Sequence, residues 1–336
     1  MNKLNIESSS QEKIIPPDQP ERLRIAVLIP CYNEEQSIAK VVRDFRAALG
    51  DATIYVYDNA SDDRTAEIAR DAGAIVRFEP IRGKGNVVRR MFADVDADVY
   101  VMVDGDDTYD AAVAPQLVER LLTDGLDLVT AVRTAEHGEA YRFGHRFGNV
   151  LLTGVVAQLF GDRFSDMLSG YKVFSRRFVK SFPTLAGGFE IETELTVHAL
   201  ELRMLLAEVP TRYRDRPQGS TSKLRTFRDG FRILWTILTL VREERPLPFF
   251  VTIFVLLASL SMGLALPLLF VYLETGLVPR FPTAILASAT MLLAFLNLVC
   301  GLVLDTVTRG RQEVKRLHYL AYGPPQKPIA APQSDK

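Results

Sequence analysis

Apolar residues recur along the first 135 positions in short, evenly spaced blocks, and later in two long uninterrupted runs. RIAVLIP (24–30), TIYVYD (53–58), AIVRFE (74–79), VYVMVD (99–104) and DLVTAV (127–132) are short and rich in β-branched or aromatic residues, which predicts five strands. The stretches between them, 34–49, 62–72, 83–94 and 112–123, read as helices; in the first, Ile38, Val41, Val42 and Phe45 fall on one face. Strand–helix alternation with near-continuous apolar strands predicts an α/β domain with a mostly parallel sheet covered on both faces. Ligands on such sheets bind beyond the carboxyl ends of the strands.

The long runs are of another kind. Residues 246–273 form 28 positions without a charge, and 281–304 form 24 more. About 20 apolar helical residues cross a bilayer core, so the expectation is two spans, about 247–273 and 282–305, joined by a short connection. Arg242 and Arg245 precede the pair, and Arg309, Arg311, Lys315 and Arg316 follow it, whereas the tip holds only Arg280. The positive-inside rule then places both flanks, and residues 1–245, in the cytosol. Just ahead of the first span, Leu224, Phe227, Phe231, Leu234, Leu238 and Val241 make one apolar helical face, with Arg225, Arg228 and Arg232 off it. That predicts an amphipathic juxtamembrane helix over 223–245, lying in the headgroup layer. The run VLLTGVVAQLF (150–160) suits either a core helix or one dipping into the membrane.

The expected organisation is a flexible lead-in (1–21) without a signal-peptide core, a catalytic-type domain (22–222), the juxtamembrane helix (223–245), the hairpin of spans (246–306) and a cytosolic tail (307–336). Forty Lys+Arg against 41 Asp+Glu give a net charge of −1, which speaks against a nucleic-acid binder. Two cysteines, Cys31 and Cys300, exclude a disulfide scaffold and a thiolate-rich zinc site.

Chemistry concentrates at the predicted strand ends. The first strand runs into PCYNEE, the second ends at Asp58 before NASDD, and the fourth ends in DGDD with Asp104 and Asp106. Carboxylates gathered on one sheet edge repel one another unless a cation intervenes. Hard oxygen ligands suit Mg2+ or Mn2+, ions that in turn hold diphosphates. Asp104 and Asp106 are the expected metal ligands.

PCYNEE, YDNASDD, RGKG and DGDD, in that order and spacing, resemble family 2 glycosyltransferases of the GT-A fold, a Rossmann-like, mostly parallel architecture. DMLSGYKVFSRR (166–177), GFEIETEL (188–195) and RPQGSTSKL (216–224) are similar to the polyprenyl-phosphate subgroup, which includes dolichol-phosphate mannose synthase and bacterial enzymes of the GtrB and ArnC type. The likeness spans roughly residues 22–306. It implies a membrane-bound, metal-dependent, inverting hexosyltransferase of the bacterial cytoplasmic membrane. Such an enzyme would move a sugar from a nucleotide sugar, UDP-linked by preference and otherwise GDP-mannose, to a polyprenyl phosphate such as undecaprenyl phosphate, for cell-envelope glycans. It also implies a homo-oligomer, by analogy a tetramer.

By the same likeness, Pro30, Tyr32 and Glu34 border the nucleoside, Asp58 accepts from the base, and Asp104 and Lys84 stand near the ribose and diphosphate. Asn59 departs from the family pattern, where a second Asp is common, and so does Asp107-Thr108. A phosphate acceptor is already largely ionised at neutral pH, its second pKa being roughly 6, so it needs cations rather than a general base. Arg133, Arg146, Arg216 and Lys223 are the candidates, the last two within a segment (212–232) that holds seven Arg/Lys against two Asp. Asp166, Glu190 and Glu194 are candidates for sugar hydroxyls. Competing readings are a processive polysaccharide synthase, for which a Gln-x-x-Arg-Trp motif is missing, a nucleotidyltransferase, for which the first strand lacks a glycine-rich loop, and an inactive membrane scaffold.

Overall fold

The computed structural model of the 336-residue chain describes residues 23–135, 154, 164–183, 191–214, 235, 238–239 and 241–326. Seven strands form one sheet: β1 (Ile25–Cys31), β2 (Thr53–Asp58), β3 (Ile75–Phe78), β4 (Val99–Met102), β5 (Leu128–Ala135), β6 (Lys172–Ser175) and β7 (Leu206–Tyr213). Their spatial order is β3-β2-β1-β4-β6-β5-β7. The pairs β1–β2, β1–β4, β2–β3 and β5–β7 are parallel, and β6 alone runs against its neighbours β4 and β5.

All five predicted strands form. The sheet is covered on both faces because successive strand residues point to opposite sides. Val27, Ile29, Val101, Val129 and Val173 meet α1 (Ile38–Ala48), α2 (Thr65–Asp71) and α4 (Ala114–Thr123) on one face. Ala26, Leu28, Tyr100, Met102, Leu128 and Phe174 meet α3 (Lys84–Asp94), α5 (Arg176–Ser181) and α6 (Ile191–Glu201) on the other.

Three non-glycine residues adopt left-handed backbone at one rim: Asn33 (φ 54°) after β1, Ala60 (φ 56°) after β2 and Asp107 (φ 59°) after β4. Such conformations cost of order 1–3 kcal/mol each and persist where their surroundings over-determine them.

Two helices are long and apolar enough to cross a membrane: α7 (Pro246–Thr275, 30 residues) and α8 (Phe281–Leu320, 40 residues). Large side chains along both remain exposed, among them Leu256, Phe270, Leu273, Leu292 and Val303. The two helices pack on small residues seven apart, Ala287, Ala294 and Gly301, and Ser261 Oγ donates to the Ala287 carbonyl at 2.7 Å. A Cβ on Gly301 would stand 2.8 Å from Phe250 Cβ. Seven-residue spacing of small residues is the pattern of close, nearly parallel helix packing.

The expected end of the second span near 305 is only the end of its apolar part. The helix continues for fifteen further residues, to Leu320, and its last turns lie against the sheet domain. Tyr319 Oη donates to the buried Asp127 carboxylate (3.0 Å), and the Arg177 guanidinium lies 4.7 Å over the Tyr319 ring. Lys315 pairs with Glu201 at 2.6 Å, and Arg311 with Glu244 at 3.1 Å. Of the expected helix over 223–245, only Trp235, Leu238, Thr239 and Val241–Arg245 fall within the described residues, and all but Arg245 are helical. Of the 150–160 run, only Gly154 lies within them.

Candidate active site

Parallel pairing in register sets Cys31, the last residue of β1, beside Asp58, the last of β2. β4 lies on the other side of β1, and its chain runs directly into Asp104. The convergence shows in the Cys31 thiol: burial pushes its pKa well up, and so do the charges of Glu34, Asp58, Asp104 and Asp106. Gly105 covers that thiol, and a Cβ there would stand 2.6 Å from Sγ.

Each carboxylate is held differently. Asp58 is buried; Oδ2 accepts from Ser61 N–H at 3.3 Å, while Oδ1 has no hydrogen-bond partner among the described residues. A buried acceptor without a donor is costly, which marks this oxygen as awaiting an N–H. Asp106 is also buried, and Thr108 donates to its Oδ1 through Oγ1 at 2.6 Å and N–H at 3.3 Å. Asp104 Oδ1 accepts from Lys84 Nζ at 2.5 Å, and its Oδ2 sits where a Cβ on Gly170 would fall, 2.1 Å away. Asp107 is turned aside into a 2.6 Å pair with Lys40.

Lys84, the first residue of α3, also donates to Glu192 on α6 at 2.6 Å. Burial alone would lower its pKa, but the charges and hydrogen bonds of Asp104 and Glu192 outweigh that and raise it above the ordinary lysine value. Glu192 joins this cluster although the sequence points instead to Glu190 and Glu194 on either side of it. The visible signal was two more acids in the same FEIETEL run, without a way to tell which one faces α3. Glu194 is half-buried on α6, and Glu190 lies outside the described residues.

The residues expected to border a nucleoside form a small lattice. Tyr32 carries the Arg82 guanidinium 5.0 Å over its ring, and Arg82 pairs with Asp62 at 3.0 Å. Glu34 N–H donates to Thr65 Oγ1 at 2.8 Å, and Pro30 is half-buried within β1 opposite Tyr57. Asn59 ties the returning loop: Nδ2 donates to the carbonyls of Glu79 (3.0 Å) and Ile81 (2.8 Å), and Oδ1 accepts from Gly83 N–H (2.7 Å). Its amide uses both polarities, which a second aspartate could not do.

On the other side of β4, Arg133 on β5 grips Asp166 through Nε and Nη2, both at 2.7 Å. Burial raises the Asp166 pKa, but the hydrogen bonds and charge of Arg133 prevail and hold it below the usual aspartate value. The expected acceptor residue and an expected sugar ligand are thus one bidentate pair. The 166–171 turn joins them to Asp104: Ser169 Oγ donates to the Ala131 carbonyl at 2.6 Å, Gly170 N–H donates to Tyr109 Oη at 2.8 Å, and Gly170 abuts Asp104. Arg146, Arg216 and Lys223 lie outside the described residues.

Among the described residues no three His, Cys, Asp or Glu side chains form a ready-made metal cage. Two aspartates after one strand nevertheless fit Mg2+ or Mn2+, which are usually held by one or two carboxylates with substrate phosphates completing the shell.

Comparison with known proteins bears on this arrangement. A family model described as glycosyl transferase family 2 matches residues 26–182. The chain is 33% identical over 300 residues to glycosyltransferase AglJ of Haloferax volcanii, which covers 88% of this chain and 98% of that relative. It is 32% identical over 222 residues to a dolichyl-phosphate hexose transferase of the same organism, covering 66% and 95%. Glucosyl-3-phosphoglycerate synthase of Mycobacterium tuberculosis, solved with Mn2+, UDP-glucose and phosphoglyceric acid, superposes with a TM-score of 0.52 at 25% identity, over 65% of this chain and 79% of that one.

Proposed function

The chain is a member of glycosyl transferase family 2, and from that premise we propose that it transfers a hexose from a nucleoside diphosphate sugar, UDP-linked in preference to GDP-linked, to a polyprenyl phosphate at the membrane surface. The observation that carries the reading is the acidic rim of Asp58, Asp104 and Asp106 on a domain against which a membrane-length helix docks. A named relative acting on dolichyl phosphate supports the acceptor class, and a structural neighbour solved with Mn2+ and UDP-glucose supports donor and metal.

In this reading Asp58 Oδ1 accepts the imide N–H of the base, which supplies its missing partner. Tyr32, Glu34 and Pro30 border the nucleoside. Asp104 and Asp106 would hold Mg2+ or Mn2+, which would supply positive charge toward the departing diphosphate. Lys84, kept cationic between Asp104 and Glu192, adds positive potential on that side. Arg133, aimed by Asp166, presents its guanidinium to the acceptor phosphate, with Arg146, Arg216 and Lys223 as further cations. A phosphate oxygen then forms the bond to the anomeric carbon as the bond to the diphosphate breaks, which inverts that carbon. The phosphate is already anionic, so no side chain need take its proton.

The test combines membranes carrying the chain with a radiolabelled nucleotide sugar, Mn2+ and polyprenyl phosphate, followed by extraction into organic solvent. Label should enter the lipid phase and disappear in Asp106→Ala. Lipid label that is unchanged in that variant overturns the assignment.

A further inference from the structure

Tyr213, the last residue of β7, has no part in the transfer as proposed. The chain that follows β4 is stitched to this end of β7. Tyr109 and Tyr213 form an antiparallel bridge, Arg214 N–H donates to the Thr108 carbonyl at 2.9 Å, and Arg214 pairs with Asp110 at 3.7 Å. The stitching runs through main chain and through Arg214, so it does not use the Tyr213 ring.

The ring faces Arg133. Parallel register pairs Arg133 with Thr211 and Ala135 with Tyr213. Residues two apart share a face of the sheet, which makes Arg133 and Tyr213 diagonal neighbours on one face. The Arg133 guanidinium carbon stands 5.6 Å from the Tyr213 ring centre, within reach of cation–π attraction. Behind it, Tyr109 meets the ring edge-on at 5.2 Å, and Tyr171 meets Tyr109 the same way at 5.5 Å. Tyr109 and Tyr171 are buried, so the half-buried Tyr213 ring rests on a fixed wall. Asp166 holds Arg133 by its Nε–Nη2 edge, both bonds at 2.7 Å. Two bonds to one carboxylate fix that edge and leave the guanidinium plane able to tilt about it. A ring against the face removes the tilt. An oxyanion then meets the other edge, Nη1 and Nη2, in a set orientation.

We propose that Tyr213 is a positioning residue for the acceptor: its ring seats the Arg133 guanidinium and, with Asp166, sets the plane in which that cation meets a phosphate monoester. The inference rests on the function proposed above, in which Arg133 receives the acceptor phosphate. The ring acts and the hydroxyl does not, so phenylalanine serves and an aliphatic side chain fails.

The experiment uses the full chain in lipid nanodiscs, unaltered and as Tyr213→Phe, Tyr213→Leu and Tyr213→Met. Initial rates of lipid-linked sugar formation are measured against polyprenyl phosphate and against nucleotide sugar, with saturating Mn2+. Leu and Met should raise the KM for polyprenyl phosphate about 3- to 30-fold, the span of a cation–π contact. The KM for the nucleotide sugar should stay within about twofold, because the stitching to the 106–110 loop is intact, and Phe should match the parent. A Phe variant as impaired as Leu overturns the proposal, as does a rise in the donor KM equal to that of the acceptor. Loss of the folded state in both aliphatic variants also overturns it, since the ring would then hold the fold rather than one cation. Calorimetric titration with farnesyl phosphate provides an arm independent of turnover. Tyr213→Leu should weaken binding by a similar factor, and in an Arg133→Met background it should add less than about twofold. Full additivity there means that the ring acts elsewhere and refutes the inference. A parent that makes no lipid-linked sugar, yet shows this binding pattern, refutes the functional reading and leaves the seat standing. A parent that makes the product while Tyr213→Leu uses the acceptor normally refutes the seat alone.

Discussion

Gly170 shows how little room single residues have at this rim. A methyl group there would fall 2.1 Å from Asp104 Oδ2, so Gly170→Ala must displace the carboxylate or the turn that carries Arg133's partner. We expect activity to fall about 100-fold or more, with the far-ultraviolet circular dichroism unchanged; activity within a few-fold of the parent would mean that the turn yields. Asn59 makes the converse case. Asn59→Asp replaces a donor to two carbonyls, Glu79 and Ile81, with a second acceptor. The expected cost is about 1–3 kcal/mol, the penalty for leaving buried polar groups facing like partners, read as a lowered midpoint in denaturant.

At the scale of elements, the strand pattern was legible because each of the first five strands is a compact apolar block bounded by turn residues, and their acidic endings fall on one edge. β6 and β7 were not read as strands. KVFS is four residues long and runs antiparallel between two parallel strands, so neither alternation nor length betrays it. The Arg133–Asp166 and Lys84–Glu192 pairs were equally hidden, since each joins residues on separate elements, 33 and 108 positions apart. The C-terminal turns of α8 escaped for another reason. Arg311 and Lys315 look like a topogenic flank, yet Arg311 is ion-paired to Glu244 just ahead of α7 and Lys315 to Glu201 on α6. Glu201 is almost fully buried, so Lys315→Met leaves a carboxylate without its cation; about 3 kcal/mol of docking energy should go with it. Limited proteolysis should then cut within 306–320 faster than in the parent, and an unaltered digestion pattern would contradict the docking.

For the molecule as a whole, the same junction confers a pH response. His198 on α6 is buried against Ser181, and burial, with Lys315 adding to it, lowers its pKa from 6.5 to about 3. The unfolded chain therefore takes up a proton between those values that the folded chain refuses, and stability falls as pH drops below 6.5, by about 1.4 kcal/mol per unit. Glu244, raised to about 6 chiefly by burial and next by Glu201, acts in the opposite sense over a narrower window. The midpoint of thermal unfolding for the parent, less that of His198→Gln, should accordingly shrink between pH 6.5 and 4.5; a constant difference would place His198 outside the linkage.

Because the last helix runs from its apolar part into its contacts with the sheet domain without a break, that domain has a fixed stand-off and azimuth from the apolar pair rather than a tether. Each residue inserted just after Asp305 would turn the docking residues by ~100° and lift them by ~1.5 Å. One extra residue should therefore harm turnover on a lipid substrate more than seven, which nearly restore the facing while raising the domain by ~10 Å.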